Sequence, residues 1–175
     1  GDAELLRIGE GPEDVVFDEE GRLYTGLIGG RILRMKPDGS AVETFADTGG
    51  RPLGLLYQGK GRLLVADSEK GLLRVSKGQV KVLTSELAGR PFLLTDDLDR
   101  AADGTIYFSD ASQRHRVHDS SQDVLEHQRT GRVLSYKAGV TKVVMTDLQF
   151  ANGVKLSHDG RSLLVCETGE RRILR

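Results

Sequence analysis

Four oxygen-bearing side chains, those of Glu13, Asp96, Asp97 and Asn152, stand where the chain is about to enter a short β-rich run. Carboxylate and amide oxygens are the ligands that a hard cation such as Ca²⁺ takes, roughly six to eight of them in most sites. The sequence contains no cluster of cysteine and histidine with the spacing of a zinc site. The chemistry that these residues favour is therefore metal binding through oxygen, provided that the fold brings them together.

Asn152 also has a simpler interpretation, because it is followed by Gly153. Asn-Gly is among the strongest β-hairpin signals, since both residue types tolerate a positive φ. Glu13 has the equally simple interpretation of a solvated loop acid. The run 96–99 superficially resembles an EF-hand loop, but it lacks the glycine and the terminal glutamate of that loop. From the residues alone, Asn152 can be a turn residue or a ligand.

Two further features of the sequence contain residue types that could form a site. The polar segment Ser112–Thr130 contains His115, His118 and His127. Long polar insertions are usually solvated lids over a pocket, and this interpretation is favoured over a histidine metal site. Cys166 lies within an apolar β-rich run, which predicts a small core residue rather than a nucleophile.

An internal repeat defines the elements that must position the candidate ligands. Each copy has a polar turn ending in glycine, a short β-rich run, a second turn and another alternating run. The turn glycines are Gly21, Gly61, Gly104 and Gly160, spaced 40, 43 and 56 residues apart, and the insertion lengthens the third copy. Four short antiparallel strands at a period near 40 residues are the signature of a β-propeller blade. Helical repeats would instead place apolar residues at i, i+3 and i+4.

The sequence therefore predicts an all-β fold, a β-propeller of four-stranded antiparallel blades forming one domain over residues 1–175. Blades are expected at about 11–50, 51–90, 91–150 and 151–175, with a closing outer strand, Glu4–Ile8, within residues 1–10. Glu13, Asp96 and Asn152 each precede the inner strand of a blade. The rotational repeat is thus expected to converge them on the propeller axis.

The number of predicted blades leaves the assembly of the protein open. If the natural chain ends at Arg175, four blades of this geometry are not expected to close, and the exposed blade faces predict self-association. The other possibility is that the chain is part of a longer protein. In that case the rest of the same chain would cover the open blade faces.

The bulk composition excludes some classes of partner. A net charge of −1 gives no sign of the excess positive charge that binding to nucleic acid or to an anionic membrane surface requires. No apolar run is long enough to predict a transmembrane helix, and no secretory signal is visible. The single cysteine cannot form an intrachain disulfide. A small-molecule substrate is the expected partner, and the location stays open between the cytoplasm and a bacterial periplasm.

Several segments together resemble a known family. "GPEDVVFDEEGRLYTG", "GRPLGLLYQGKGRLLVADSEKGLLRV", "GTIYFSDAS" and "FANGVKLSHDGRSLLVCETGERRILR" are similar to the strictosidine-synthase-like branch of the calcium-dependent phosphotriesterase superfamily. That superfamily includes the regucalcin-type gluconolactonases and the paraoxonases. The resemblance covers nearly the whole chain and implies a six-bladed propeller, of which this chain supplies three blades and most of a fourth.

The resemblance also implies a Ca²⁺ site at the top of the central tunnel. Glu13 of "GPED" matches the family's first ligand, Asp96 stands where the family has the Asn of an Asn-Asp-Leu motif, and Asn152 matches the Asn of "NGV". A fourth, acidic ligand would come from a later blade, beyond Arg175. Asp97 is expected to orient the ligands rather than to bind the ion.

Two departures from the family bear on the activity. Paraoxonases have a catalytic histidine in blade two where this chain has Leu53, so a paraoxonase-type histidine dyad is not expected. The catalytic glutamate of strictosidine synthase lies in a late blade, outside this chain. The leading hypothesis is a Ca²⁺-dependent hydrolase of small lactones, esters or organophosphates with no base identified. The alternatives are a non-catalytic propeller that binds a small molecule or protein and, third, a strictosidine-synthase-type condensation.

Overall fold

The computed structural model describes residues 5–175, which form four antiparallel sheets in a propeller arrangement and one small hairpin. Blade 1 contains β1 (Val15–Phe17), β2 (Leu23–Gly26), β3 (Arg31–Met35) and β4 (Glu43–Asp47). Blade 2 contains β5 (Pro52–Tyr57), β6 (Arg62–Asp67), β7 (Gly71–Ser76) and β8 (Gln79–Thr84). The hairpin of β9 (Glu86–Leu87) and β10 (Arg90–Pro91) follows.

Blades 3 and 4 complete the described chain. Blade 3 contains β11 (Thr95–Arg100), β12 (Ile106–Asp110), β13 (Gly131–Lys137) and β14 (Val140–Leu148). Blade 4 contains β15 (Ala151–Leu156), β16 (Leu163–Glu167) and β17 (Arg172–Leu174). Within each blade the strands pair in chain order. The predicted fold class, an all-β propeller of antiparallel blades, is confirmed.

The four repeat glycines share one backbone conformation. Gly21, Gly61, Gly104 and Gly160 all have φ between 66° and 88°, a region that only glycine enters without strain. Each lies in the tight turn that leads into the second strand of its blade. The recurring glycine is therefore a requirement of the hairpin at the same place in every blade.

Apolar clusters between neighbouring blades form the core. Leu55, Leu63 and Val65 of blade 2 pack with Tyr24 and Ile32 of blade 1. The opposite face of blade 2 packs on blade 3, and the face of blade 3 beyond that packs on blade 4. Successive side chains of a strand point to opposite faces of the sheet, so alternate residues of blade 2 pack against blade 1 and against blade 3. Strands β5, β6 and β7 of blade 2 are therefore buried on both faces.

The closing strand predicted within residues 1–10 stays a prediction. Glu4 lies outside the described residues, and residues 5–10 form no strand in the part of the chain that the structure describes. Ile8 packs instead against Leu27, Leu33 and Met35 of blade 1. Val15 and Phe17 of blade 1, and Ile173 of blade 4, are exposed. Self-association through such faces also stays a prediction.

The polar insertion is more than a solvated lid. It contains a short 3-10 helix, Val117–Asp119, and α1 (Ser120–Glu126). Val117 and Val124 pack against a small apolar cluster formed by Leu53, Leu94, Ala111 and Phe150. Asp123 is fully buried and accepts a hydrogen bond from the Ser112 hydroxyl. The insertion is thereby anchored on one end of blades 2 to 4.

A buried carboxylate ends the second strand of blades 2, 3 and 4. Asp67, Asp110 and Glu167 are all fully buried. Each accepts hydrogen bonds from backbone amides of the loop that leads into its own blade, at Arg51, at Leu94 and at Gln149. These acids fix the loops from which the inner strands begin. Blade 1 has Leu27 at the equivalent place.

Among the described residues, no helix is long and apolar enough to cross a membrane.

Candidate metal and substrate site

The inner strands of blades 2, 3 and 4 share one irregularity, which positions the candidate ligands. In β11 two residues, Asp96 and Asp97, lie opposite the single residue Ser109 of β12. In β15 the pair 152–153 lies opposite Cys166, and in β5 the pair 53–54 lies opposite Ala66. Such β-bulges re-aim side chains and often lie beside functional sites. The sequence prediction that Asp96 and Asn152 precede their strands is therefore wrong, because both lie in bulges within them.

The register makes four positions equivalent around the axis. Glu13, Leu53, Asp96 and Asn152 each stand two residues before a paired inner-strand residue, namely Val15, Leu55, Leu98 and Val154. The inner strands β1, β5, β11 and β15 contact one another in this order. We call the oxygen-bearing members, Glu13, Asp96 and Asn152, the upper ring, and the end of the blades where they lie the upper end.

Asn152 is not a hairpin residue. Neither Asn152 nor Gly153 has a positive φ, whereas Phe150, in the bend directly before β15, has a φ of 56°. The backbone carbonyl of Asn152 accepts a hydrogen bond of 2.6 Å from the Ser109 hydroxyl. The side-chain amide makes no hydrogen bond with any described residue and is half-buried. The turn interpretation of Asn152 is therefore wrong, and its amide oxygen is free to bind a ligand.

Asp96 is the most perturbed group of the upper ring. It is 8% exposed. Burial, then repulsion from Asp97 and Glu13, raises the pKa of Asp96 to about 7, and only Arg51 opposes this. No hydrogen bond from the described chain stabilises the carboxylate. A buried, unpaired carboxylate next to two other acids is the arrangement that a bound cation would relieve.

Asp97 has a different task from Asp96. Its Oδ2 accepts a hydrogen bond of 2.8 Å from the Val154 backbone amide, in the inner strand of the next blade. Burial raises the pKa of Asp97, while the amides of Val154 and Leu98 lower it. Its backbone amide donates to the hydroxyl of Ser109, which in turn donates to the Asn152 carbonyl. Asp97 thus contacts the strand that contains Asn152, and its expected role in orienting metal ligands stays a prediction.

Asp14 performs the same task one step earlier in the propeller. Its Oδ2 accepts a hydrogen bond of 2.8 Å from the Leu55 backbone amide of blade 2. Asp14 and Asp97 occupy the same repeat position, directly after a member of the upper ring. The sequence analysis missed Asp14, although the shared acid pairs Glu13-Asp14 and Asp96-Asp97 were a visible signal.

Arg51 is the second residue that the sequence analysis missed. Its guanidinium donates to the Gly11 carbonyl at 2.7 Å and lies 3.4 Å from the Glu13 carboxylate. The side chain of Arg51 is 10% exposed, whereas that of Glu13 is 54% exposed. Arg51 thus holds the exposed Glu13 in place and supplies positive charge beside Asp96. The "GRPLG" segment contained this signal, since it places an arginine at the head of an inner strand.

A cavity of about 630 Å³ opens next to Arg51 at the upper end. We call it the upper cavity. Its apolar wall comes from Ile28 and Val117, and its polar wall includes Arg51, His118 and Glu69. Cavities of this size, mostly apolar with a few placed polar groups, suit small organic ligands. The insertion supplies both Val117 and His118, so it forms part of the cavity wall.

The three histidines do not form a metal site within the described residues. His115 lies 3.0 Å from Glu126, His118 lies 3.0 Å from Asp119, and His127 contacts Gln149. The three histidines therefore have separate partners. Leu53 is buried in the apolar cluster below the insertion. Cys166 is exposed rather than in the core, because the alternation of β16 points Val165 toward blade 3 and Cys166 away from it. That prediction was wrong.

The donor set fits a hard cation. Within residues 5–175 no group of three or more histidine, cysteine, aspartate or glutamate side chains is close enough to form a metal cluster by itself. The upper ring instead combines two carboxylates with an amide. The unpaired Asp96 carboxylate and the unused Asn152 amide are oxygen donors without another partner in the described chain, which suits Ca²⁺ and not zinc.

The raised pKa of Asp96 predicts an unusual pH dependence in the absence of metal. The folded state keeps a proton on Asp96 up to about pH 7, whereas the unfolded state loses it near the ordinary value of 3.8. The free energy of unfolding should therefore fall by a few kcal/mol as the pH rises through this window. Urea unfolding of wild type and Asp96→Asn, in chelator, at several pH values measures it. If both proteins lose the same stability, Asp96 is not the cause.

Comparison with known sequences gives the family. The Strictosidine synthase family model matches residues 96–175, and the model for the N-terminal part of strictosidine synthase-like proteins matches residues 1–35. Protein STRICTOSIDINE SYNTHASE-LIKE 6 of Arabidopsis thaliana is 40% identical over 181 residues, covering 97% of this chain and 49% of that relative. The chain spans about half the length of the curated relatives it matches.

Comparison with solved structures gives the fold. A gluconolactonase from Xanthomonas campestris superposes with a TM-score of 0.75 at 24% identity, covering 94% of this chain and 57% of that one. A calcium-binding regucalcin from Agrobacterium tumefaciens superposes with a TM-score of 0.71 at 15% identity, covering 93% and 52%. At these identities the likeness concerns the propeller alone.

Proposed function

The chain belongs to the strictosidine synthase-like family, and on that footing we propose that it is a Ca²⁺-dependent hydrolase of small lactones, esters or organophosphates. The observation that carries the proposal is the upper ring. Glu13, Asp96 and Asn152 occupy equivalent positions at the upper end, and the oxygens of Asp96 and Asn152 have no other partner in the described chain. The upper cavity lies beside this ring at Arg51.

Each residue of the site has a distinct role in this proposal. Glu13, Asp96 and Asn152 would hold the ion. A bound Ca²⁺ would act as a Lewis acid on the carbonyl or phosphoryl oxygen of the substrate and orient a water. Asp97 keeps the Asn152 bulge in place through Val154 and Ser109. These contacts fix the ring before any ligand arrives, so little energy would be spent on ordering it.

The lining of the upper cavity suits a small, partly apolar substrate. Ile28 and Val117 offer an apolar wall for a ring or an alkyl group, while His118 and Arg51 offer hydrogen-bond donors. Arg51 is already held by Gly11 and Glu13, so its orientation is set in advance. The lactones of the gluconolactonases are one class of compound with this combination of size and polarity.

A panel of lactones, aryl esters and organophosphate triesters, assayed with Ca²⁺ and with a chelator, tests the proposal. We expect hydrolysis of at least one class, abolished by the chelator and restored by added Ca²⁺. Arg90→Gln, at an exposed arginine on β10, is a control that should retain the rate. Uniform inactivity of the metal-loaded protein would instead favour a non-catalytic propeller that binds its ligand at the same end.

A further inference from the structure

A second cavity lies at the opposite, lower end of the blades. Its volume is about 250 Å³, and it is formed between blades 2 and 3. Arg62 and Arg74 line it from blade 2, and Arg100 and Tyr136 line it from blade 3. We call it the arginine cavity. It shares no residue with the upper ring or with the upper cavity.

The strand register brings the three arginines together. Arg74 pairs with Leu64 across β6 and β7, and Arg62 points to the same face as Leu64 because it lies two residues away. Arg100 pairs with Ile106 across β11 and β12. Leu64 and Ile106 belong to the single apolar cluster between the two blades. The three arginine side chains therefore line the lower margin of that cluster, two from blade 2 and one from blade 3.

No carboxylate among residues 5–175 neutralises the charge of these arginines. None of the three arginines forms an ion pair with any of residues 5–175, and the nearby acids have other partners, Asp103 with Lys137 and Asp99 with Lys155. Arg62 uses part of its guanidinium on the carbonyls of Gly59 and Gln58. Arg74 and Arg100 make no side-chain hydrogen bond with the described residues.

The simplest explanation is that the arginine stems cover the edge of the apolar cluster and extend their charged heads into water. That explanation accounts for long side chains, but lysine or glutamine would serve equally well. It does not account for three like charges around one small cavity, where they repel one another. An apolar floor and polar walls also focus the field of these charges into the cavity.

We propose that the arginine cavity binds a small phosphate-bearing molecule. Guanidinium groups match the oxygens of phosphate in pairs, and arginine is the residue of choice for such recognition. A volume of about 250 Å³ has room for a phosphate group with a small substituent. The phenol of Tyr136 and the amide of Gln58 are available to contact the substituent. The proposal does not depend on the hydrolase assignment, since it concerns the other end of the blades.

Calorimetric titration with pyrophosphate, in chelator and at roughly physiological ionic strength of about 0.15 M, tests this proposal. We expect saturable binding to wild type. Arg74→Gln and Arg100→Gln should each weaken it by about tenfold or more, since each removes one charged hydrogen-bonding partner. Arg90→Gln, at an exposed arginine that does not line the cavity, is the matched control and should bind as wild type does.

Circular dichroism and thermal midpoints of the variants provide the folding control. Arg74 and Arg100 are exposed, so the variants should fold as wild type does. The proposal is overturned if wild type shows no saturable binding, or if folded Arg74→Gln and Arg100→Gln variants bind pyrophosphate as tightly as Arg90→Gln does.

Discussion

Replacing Asp110 by alanine is expected to lower the free energy of unfolding by about 3–5 kcal/mol. Asp110 is fully buried, and its Oδ1 accepts hydrogen bonds from the amides of Leu93 and Leu94. Its Oδ2 lies 2.8–2.9 Å from the Arg132 guanidinium, whose side chain is only 7% exposed. The variant leaves a buried guanidinium without a carboxylate and frees two loop amides.

Most of the expected loss in the free energy of unfolding comes from Arg132, which stays buried after the carboxylate is removed. Burial raises the pKa of Asp110, whereas Arg132 and the amides of Leu93 and Leu94 lower it. The penalty is therefore mainly that of an uncompensated Arg132. Arg132 also stacks over the Phe92 ring at 5.5 Å, which holds it in place after Asp110 is removed.

Urea unfolding of Asp110→Ala against Asp103→Ala measures the effect. Asp103 also pairs with a basic residue, Lys137, but both side chains are more than half exposed. Exposed pairs contribute about 0–1 kcal/mol, so Asp103→Ala should change little. Equal losses in the two variants would mean that the buried carboxylates at the upper end do not hold the blades as described.

The second large effect is expected at Asn152. Changing Asn152 to alanine should lower the Ca²⁺-dependent hydrolysis rate by about 100-fold or more, because even residues that only support metal ligands cost 10–100-fold. The free energy of unfolding should change by less than about 1 kcal/mol. The side-chain amide bonds no described residue, the φ is one that alanine adopts, and the carbonyl still accepts from Ser109.

Initial rates at saturating Ca²⁺, together with urea unfolding, separate a ligand from a structural residue. Gln79→Ala is the matched control, since it removes an exposed amide from the outer strand of blade 2. A large loss of stability with an unchanged rate per folded molecule would assign Asn152 a structural role. Asp96→Asn is a companion variant, because it restores the residue usual in the family and should preserve hydrolysis while altering the Ca²⁺ requirement.

The fold was predictable because its signals are local and repeated. The turn glycines Gly21, Gly61, Gly104 and Gly160 recur at one place in each repeat, and alternating runs follow each of them. Four copies of the same signal reinforce one another, so the blades could be assigned from the sequence. The helix in the insertion was not expected, since its stability comes from Val117 and Val124 packing on a distant cluster.

The site was only partly predictable, because bulges and inter-blade contacts depend on register. Asn-Gly favours a hairpin in isolation, yet in β15 it pairs against Cys166 as a bulge. The ring residues were predictable from the family resemblance, with which their equivalent repeat positions agree. Asp14 acts through a contact with the neighbouring blade, and Arg51 acts through a contact with an N-terminal residue. Local sequence patterns do not indicate contacts between residues that are so distant in the chain. Cys166 was assigned to the wrong face for the same reason.

Calorimetric titration of Ca²⁺ into wild type, Asn152→Ala and Glu13→Gln tests the central claim most directly. The upper ring predicts saturable binding to wild type and binding weakened by about tenfold or more in both variants, with Gln79→Ala unchanged. If wild type gives no saturable heat, or if the Asn152→Ala titration superimposes on that of wild type, the upper ring is not a calcium site.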